Sequence, residues 1–223
     1  MNIGVLIPVH NEAQGIGPVV EALRAKDLDV IVIDDGSTDG SGDIAKAKGA
    51  TVLRHEKKNG KGYSLQKGFD YVLEHRYDGV ITMDGDGQHD PHEVEQFLKE
   101  ARGNQTSLII GNRMQNSDGM PFVRYLTNCF MSGLISWACR QSIPDTQCGY
   151  RYLSREVLQN LELTCADFEI ETEILMKACK KGFKIVSTPI QTIYRDEESK
   201  IHPFKDTVRF FVYFFREIRS SKK

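Results

Sequence analysis

The sequence predicts an α/β protein with a mostly parallel β-sheet flanked by helices. Short apolar runs alternate along the chain with amphipathic segments of helical length, an arrangement typical of sheets covered on both faces. The runs are continuously apolar, as expected for strands that are buried on both sides. A chain of 223 residues can bury one substantial core, so we expect one domain.

Each predicted element corresponds to one of these runs or segments. Strands are predicted at residues 3–9, 29–34, 51–54, 80–83, 107–111 and 184–188. Helices are predicted at residues 15–25, 41–48, 62–74, 91–102, 121–140, 169–181 and 203–219.

The composition narrows the class of protein. The hydrophobic fraction of 40% and the charged fraction of 27% are ordinary for a soluble protein. A net charge of −2 gives no sign of a nucleic-acid partner. Five scattered cysteines without a C-x-x-C pair indicate reduced thiols. The first residues lack the features of a signal peptide, and no apolar run approaches the roughly 20 residues of a membrane span. We therefore expect a cytoplasmic protein.

Polar residues and glycines follow four of the predicted strands directly. The segments concerned are Pro8 to Glu12, Asp34 to Gly40, Asp84 to His89, and Gly111 to Arg113. Open parallel sheets bind ligands at the carboxyl ends of their strands. The four segments therefore predict one site at that edge of the sheet.

Asp84 and Asp86 are the strongest candidates for metal ligands. Two carboxylates separated by one glycine at a strand end can converge on one cation, and Gly85 and Gly87 permit the turns. Oxygen ligands suit Mg²⁺ or Mn²⁺, which waters and substrate phosphates usually complete. Gln88 or His89 could add or orient a ligand. The alternative is an acidic turn that caps the following helix, and the agreement of the other strand ends favours the metal site.

The end of the second strand favours contact with a nucleotide. A carboxylate at Asp35 can accept a hydrogen bond from a ribose hydroxyl or a base N–H, whereas Thr38 and Asp39 are equally well explained as helix caps. The basic loop from Lys57 to Gly62 could approach phosphates. A Walker-type sequence and a G-x-G-x-x-G sequence are both missing, which counts against P-loop and dinucleotide-binding folds.

Taken together, these segments resemble a known family. The residues Ile7-Pro8-Val9-His10-Asn11-Glu12, Val32 to Gly40, Met83 to His89 and Gly111-Asn112-Arg113 look like those of a family 2 glycosyltransferase. Ile143 to Arg151, Phe168 to Glu173, Tyr194-Arg195 and Ser199-Lys200 are similar to the branch that contains dolichyl-phosphate mannosyltransferases and polyprenyl-phosphate glycosyltransferases. The match runs in order over roughly residues 3 to 202.

The resemblance implies the GT-A fold, which is Rossmann-like, with a nucleotide half at about residues 1–112 and an acceptor half at about 113–202. A C-terminal amphipathic basic helix would follow at residues 203–223. The residues implied to line the nucleotide pocket are Pro8, His10, Glu12, Ile33, Asp35 and Asp84. The implied metal ligands are Asp84, Asp86 and Gln88. The implied phosphate-binding residues are Arg113, Arg151, Arg195 and Lys200, and the three arginines and Asp86 would be catalytic. Guanidinium groups match phosphate oxygens in shape and charge.

The resemblance also implies inverting transfer of a hexose from a GDP- or UDP-sugar. A hydroxyl acceptor needs a general base, yet the Glu-Asp pair and the Gln-x-x-Arg-Trp motif that supply one in many relatives are missing. A lipid monophosphate is already ionised near pH 7, since its second pKa is about 6. The sequence therefore favours a polyprenyl or dolichyl phosphate acceptor, with Asp145 and Glu169 as orienting groups.

Two aromatic segments suggest contact with a membrane surface. Residues 124–140 and 204–218 carry aromatic and aliphatic side chains, and Arg209, Arg216 and Arg219 accompany the second segment. Such helices can lie on an anionic membrane, here the cytoplasmic face; packing against the core or a dimer partner is the alternative. Several members of the branch have C-terminal membrane spans that this chain lacks, which leaves room for a separate membrane subunit.

Three other functions are alternatives to this one. Transfer to a glycan or small-molecule hydroxyl is the closest alternative. A nucleotidyltransferase that makes nucleotide-sugars would need a glycine-rich loop with a lysine after Val9, and this loop is missing. A non-catalytic nucleotide-binding module would be expected to have lost the acidic motifs, which are intact.

Overall fold

The computed structural model describes residues 1–104, 106–117, 119–191 and 203–220. It contains one seven-stranded sheet, flanked by helices, with the strand order β3-β2-β1-β4-β6-β5-β7. The strands are β1 (Ile3–Val9), β2 (Val30–Asp34), β3 (Thr51–Arg54), β4 (Gly79–Thr82), β5 (Leu108–Asn112), β6 (Arg151–Ser154) and β7 (Ile185–Pro189). Only β6 runs antiparallel to its neighbours within the described sheet, so the predicted mostly parallel sheet is confirmed.

The helices lie close to their predicted positions. They are α1 (Ala13–Arg24), α2 (Ser41–Ala47), α3 (Lys61–Glu74), α4 (Val94–Asn104), α5 (Phe122–Cys139), α6 (Arg155–Asn160), α7 (Ile170–Lys180) and α8 (Pro203–Ser220). A 3-10 turn at Pro91–Glu93 precedes α4, where the Asp90 side chain accepts a hydrogen bond from the His92 amide.

Strand β6 and helix α6 are two elements that the sequence did not predict. β6 has only four residues and begins with an arginine, so it shows neither an apolar run nor an extended alternation. It inserts between β4 and β5, with Ile81 opposite Tyr152 and Ile109 opposite the same tyrosine. α6 follows at once, with the Ser154 side chain accepting from the Val157 amide.

Two apolar clusters cover the two faces of the sheet. Because side chains alternate along a strand, Leu6 faces one cluster and Ile7 the other. The first cluster packs the sheet against α3, α6 and α7, and the second packs it against α1 and α4. Helix α8 contributes buried Phe210, Tyr213 and Phe214 to the first cluster, so the C-terminal helix packs onto the domain that precedes it.

Candidate functional site

The ends of β1 and β2 are tied together by short hydrogen bonds. The Asp35 amide donates to the Val9 carbonyl at 2.8 Å. The His10 ring nitrogen Nδ1 donates to the Asp35 carbonyl at 2.8 Å. The Glu12 amide donates to the Ser41 hydroxyl at 2.8 Å, at the entrance to α1. Two of the predicted nucleotide-site residues, His10 and Asp35, therefore lie in direct contact.

The two carboxylates at the end of β2 are buried and fully engaged. Asp34 accepts from the Ser37 amide at 2.9 Å and from Arg54 Nε at 2.8 Å. Asp35 accepts from the Asn59 amide at 2.9 Å, the Gly60 amide at 2.8 Å and His55 Nδ1 at 3.0 Å. Asp35 thus fixes the loop that leads into α3.

The loop after β4 keeps its two carboxylates more open. The side chain of Asp84 is 30% exposed, and Asp86, which is half-buried, accepts from the Gln88 amide at 2.9 Å. Gly85 is required by space, since a Cβ there would lie 2.6 Å from Val9 Cγ1. Gly87 is required by its backbone, which has a φ of +75°. Both glycines therefore have a structural reason for their place in this acidic loop.

Asp84 is held by a lysine that the sequence did not single out. Lys61 Nζ lies 2.5 Å from Asp84 Oδ1 and 2.7 Å from Glu171 Oε1. All three groups converge on Gly149, where a Cβ would lie 2.8 Å from Asp84 Oδ2 and 3.1 Å from both Glu171 Oε1 and Lys61 Nζ. A Cβ at position 149 would therefore displace the Asp84 carboxylate. The Gly-Lys-Gly sequence of the basic loop and the acidic residues at the start of α7 are visible in the sequence. Their spacing, however, does not indicate that the two segments are in contact.

The surrounding charges keep Asp84 ionised. Burial by itself raises the pKa of this carboxyl, but Lys61 above all, and then His89 and Arg113, bring the pKa down to about 2. His89 is buried, and burial lowers its pKa below the ordinary value, although the nearby Asp84 and Asp86 carboxylates act to raise the pKa. Its Nδ1 accepts from the Asp84 amide at 3.2 Å, so the imidazole orients the backbone of the acidic loop.

At the end of β5, Arg113 is paired with Asp145. Nε and the Asp145 Oδ2 atom are 2.7 Å apart, and the second guanidinium nitrogen lies 2.9 Å from Oδ1. The Arg113 amide also donates to Asp145, at 3.1 Å. Both side chains are buried. Asp145, predicted as an orienting group, therefore holds the Arg113 guanidinium in a fixed direction, close enough to Asp84 to lower its pKa.

The structure places two predicted site residues in the interior. The Arg151 guanidinium donates to the carbonyls of Cys148, Glu171 and Thr146 at 2.7, 2.6 and 2.8 Å, and the residue is 1% exposed. It organises the loop before β6, because three of its five N–H donors bond backbone carbonyls and the guanidinium is almost fully buried. Ile33 is fully buried in the first apolar cluster, so its side chain packs in the core and not against a nucleotide.

The remaining predicted residues differ in position. Pro8 is half-buried near the end of β1, and Gln88 is half-buried beside Asp86. Glu169 immediately precedes α7, and its Oε2 atom is buried without a hydrogen-bond partner in the described structure. Arg195 and Lys200 lie outside the described residues.

The carboxylate pair fits a divalent cation that is completed by a substrate. Among the described residues, no group of three or more His, Cys, Asp or Glu side chains forms a metal cage. Mg²⁺ in nucleotide enzymes is usually held by one or two carboxylates together with substrate phosphates and waters. Asp84 already binds a cationic group, and Asp86 and Gln88 add further oxygen atoms in the same loop. The donor set thus suits an ion that arrives with a diphosphate.

Relatives of known name resemble the chain over most of its length. The chain is 30% identical to an undecaprenyl-phosphate mannosyltransferase of Micrococcus luteus, over 90% of this chain and 88% of the relative. It is 28% identical to a polyprenol monophosphomannose synthase of Mycolicibacterium smegmatis, over 86% of this chain and 77% of the relative.

The fold also matches solved structures. A glucosyl-3-phosphoglycerate synthase of Mycobacterium tuberculosis, crystallised with Mn²⁺, UDP and phosphoglyceric acid, superposes with a TM-score of 0.75 at 20% identity, covering 98% of this chain and 78% of that one. This likeness supports the GT-A fold. The family model "Glycosyl transferase family 2" matches residues 4–162. Because this match spans well over half of the chain, the protein is a glycosyltransferase that belongs to family 2.

Proposed function

We propose that the protein transfers a hexose, with inversion, from GDP-mannose or a UDP-hexose to a polyprenyl or dolichyl phosphate. The observation that carries this proposal is the grouping of Asp84, Lys61 and Arg113 at the carboxyl ends of the strands, with Asp86 in the same loop as Asp84. The edge combines oxygen ligands with fixed cations, which is the chemistry needed to bind a diphosphate. The two relatives named above for polyprenyl-phosphate chemistry support the choice of acceptor.

Asp84, Asp86 and Gln88 would hold the cation, which when bound neutralises charge on the departing diphosphate. Arg113, fixed by Asp145, would offer a preoriented guanidinium to a phosphate oxygen without the cost of ordering a free side chain. His10 and Glu12 would border the nucleotide, and Asp35 would support it through the loop that it fixes. Arg195 and Lys200 stay predictions for phosphate binding.

A phosphate acceptor removes the need for a strong base. Its oxygen is already negative near neutral pH, so the site has to position the acceptor and balance its charge. The sequence lacks the base motif of many relatives, which supports an acceptor of this kind.

Transfer to a small-molecule or glycan hydroxyl is the second candidate. The buried Glu169 Oε2 atom without a hydrogen-bond partner in the described structure favours it, because an unpaired buried carboxylate oxygen is costly and could accept from an acceptor hydroxyl. The solved relative with phosphoglyceric acid has this kind of acceptor.

A screen of donors and acceptors separates the two candidates. Purified protein would be incubated with GDP- and UDP-sugars and Mn²⁺, and donor turnover would be followed with a short polyprenyl phosphate, with phosphoglycerate, or with neither. We expect the lipid phosphate to stimulate turnover. Stimulation by the hydroxyl acceptor alone would reject the lipid-phosphate proposal.

We also propose that α5 and α8 contact the membrane that carries the lipid acceptor. No helix in the described part of the chain has the length and apolar character needed to cross a bilayer. Exposed apolar side chains nevertheless cover the outer faces of both helices; they are Phe122, Val123, Leu126, Phe130 and Trp137 on α5, and Val208, Val212 and Phe215 on α8. The Phe130 and Phe211 rings lie 6.5 Å apart, so the two faces adjoin.

Exposed Arg216 and Arg219 border the apolar face of α8. This combination suits an anionic membrane surface. Arg209, predicted to be part of the basic flank, pairs instead with Asp167 at 2.6 Å. The buried side of α8 packs on the core, so membrane contact would use only the opposite side of that helix.

A further inference from the structure

Lys61 links the loop after β4 to helix α7, beside the proposed metal site. It is the first residue of α3, and its side chain is only 15% exposed. Its ammonium group lies between Asp84, on the loop after β4, and Glu171, on α7. It also lies 5.8 Å from the centre of the Phe168 ring. The positive charge therefore offsets the repulsion between two carboxylates that lie above Gly149.

The backbone of Lys61 is fixed, whereas its side chain has a choice of partners. The Gly60 amide donates to Asp35 at 2.8 Å, and the Tyr63 amide donates to the Ala166 carbonyl at 3.0 Å. Gly60 abuts the Ala166 carbonyl oxygen and Gly62 abuts the Cys165 carbonyl oxygen, which would lie 2.4 and 2.3 Å from an added Cβ. A lysine side chain, by contrast, has four rotatable bonds and presents a compact charge that can turn between acceptors.

Asp84 cannot bind the Lys61 ammonium group and a divalent cation equally well at the same time. Asp84 Oδ1 lies 2.5 Å from the ammonium group, so a divalent cation that binds Asp84 has to overcome the Lys61 charge beside it. A diphosphate that arrives with the cation offers the ammonium group new oxygen atoms. These contacts make the binding of cation and donor mutually dependent.

We propose that Lys61 is a resident cation of the metal site that competes with the divalent cation for Asp84 and turns to a phosphate oxygen of the donor when both arrive. This inference rests on the proposed function, because it takes Asp84 as a metal ligand. It names the one residue of the basic loop from Lys57 to Gly62 that would contact a phosphate of the donor. Its consequence is that cation alone binds weakly, and cation with nucleoside diphosphate binds well.

The test is Mn²⁺ binding without nucleotide, read from the electron paramagnetic resonance signal of free Mn²⁺. Lys61→Met should bind Mn²⁺ on the order of tenfold more tightly than the wild type, since removing a unit charge a few ångströms away is worth at least this much. With Mn²⁺ saturating, the same variant should bind GDP and UDP more weakly. Lys67→Met is the matched control, because Lys67 lies on the same helix, is 48% exposed, and pairs with exposed Asp70 at 3.5 Å.

The outcomes separate this inference from the proposed function. Folded Lys61→Met with unchanged or weaker Mn²⁺ affinity, or with undiminished affinity for both nucleotides, overturns the inference alone. A wild-type protein that binds no Mn²⁺ even with GDP or UDP overturns the metal site and the inference together. If Lys61→Met does not fold, the double variant Lys61→Met/Glu171→Gln is compared with Glu171→Gln. Tighter Mn²⁺ binding by the double variant supports the competition, and equal binding overturns it.

Discussion

The ends of β2 and β4 carry carboxylates in similar sequence settings but with different surroundings. At the end of β2, Asp34 and Asp35 are buried, and their oxygens accept from backbone amides, Arg54 and His55. At the end of β4, Asp84 faces a lysine, and Asp86 accepts from an amide of its own turn. The first pair organises neighbouring loops, while the second presents charge to the site.

The difference indicates that the carboxylates after β2 and those after β4 have different roles. A buried carboxylate that accepts several backbone hydrogen bonds fixes a loop and has little capacity left for a ligand. A half-buried carboxylate paired with a lysine can exchange that partner for a metal ion. Asp35 joins the two regions, because the loop that it holds delivers Lys61 to Asp84.

The largest expected effect is at Asp86. Asp86→Asn removes one charge from the proposed metal site and should lower donor turnover by about 100-fold or more, the scale on which charge stabilisation contributes in active sites. Thermal unfolding should change little, because Asp86 accepts only a local amide in the described contacts. Asp70→Asn, at an exposed residue of α3, is the control and should retain full activity.

A substitution at Asp35 tests the structural role assigned to the carboxylates after β2. Asp35→Asn replaces an acceptor oxygen with an amide nitrogen, which leaves one of the backbone amides of the loop unpaired. We expect a loss of about 1–3 kcal/mol in the free energy of unfolding, measured by urea denaturation. Lost donor affinity with unchanged stability would mean that Asp35 contacts the nucleotide directly, and would break the comparison.

The loss of folding stability at acidic pH tests which groups lower the pKa of Asp84. The pKa of Asp84 is lowered from 3.8 to about 2, with Lys61 as the main cause opposing burial. The stabilisation is therefore fully present above about pH 4 and is lost as the pH falls towards 2. In metal-free buffer, Lys61→Met should lose stability less steeply than the wild type over this range. An identical slope would show that Lys61 does not set the Asp84 pKa.

The smallest effect is expected at the membrane surface. Replacing exposed Arg216 and Arg219 with Glu should release the protein from anionic liposomes. Binding to neutral liposomes should stay the same, as measured by co-sedimentation. Each basic residue near such a surface contributes about 1 kcal/mol. Arg209→Glu would be a poor probe, because Arg209 pairs with Asp167. Unchanged binding of the double variant would remove α8 as an electrostatic contact.

The sequence predicted the part of the site that depends on local spacing. Asp84 and Asp86 follow an apolar strand directly, and parallel strands bring such ends to one edge. The same logic led to His10, Asp35 and Arg113. Arg151 was implied only by the family resemblance, and a sequence match cannot reveal that its guanidinium is buried among three carbonyls.

Contacts between segments that are far apart in the sequence could not be predicted from local residue spacing. Lys61 and Glu171 are separated by 110 positions, and only packing of α3 against the loop before α7 brings them together. Strand β6 was missed because four residues with a charged first position carry too weak a pattern to compete with a loop. For α8, the pattern indicated an amphipathic helix, but only the packed structure shows which aromatic rings are used by the core.

The most direct test of the central claim is transfer of labelled sugar from a nucleotide-sugar into an organic-extractable polyprenyl phosphate product. The reaction would be run with Mn²⁺, with EDTA, and with EDTA followed by excess Mn²⁺, using wild type and Asp86→Asn. We predict labelled lipid with Mn²⁺, none with EDTA, recovery on adding Mn²⁺, and almost none with the variant. Equal lipid labelling by the wild type in EDTA, or by Asp86→Asn, would contradict the role of the carboxylates after β4.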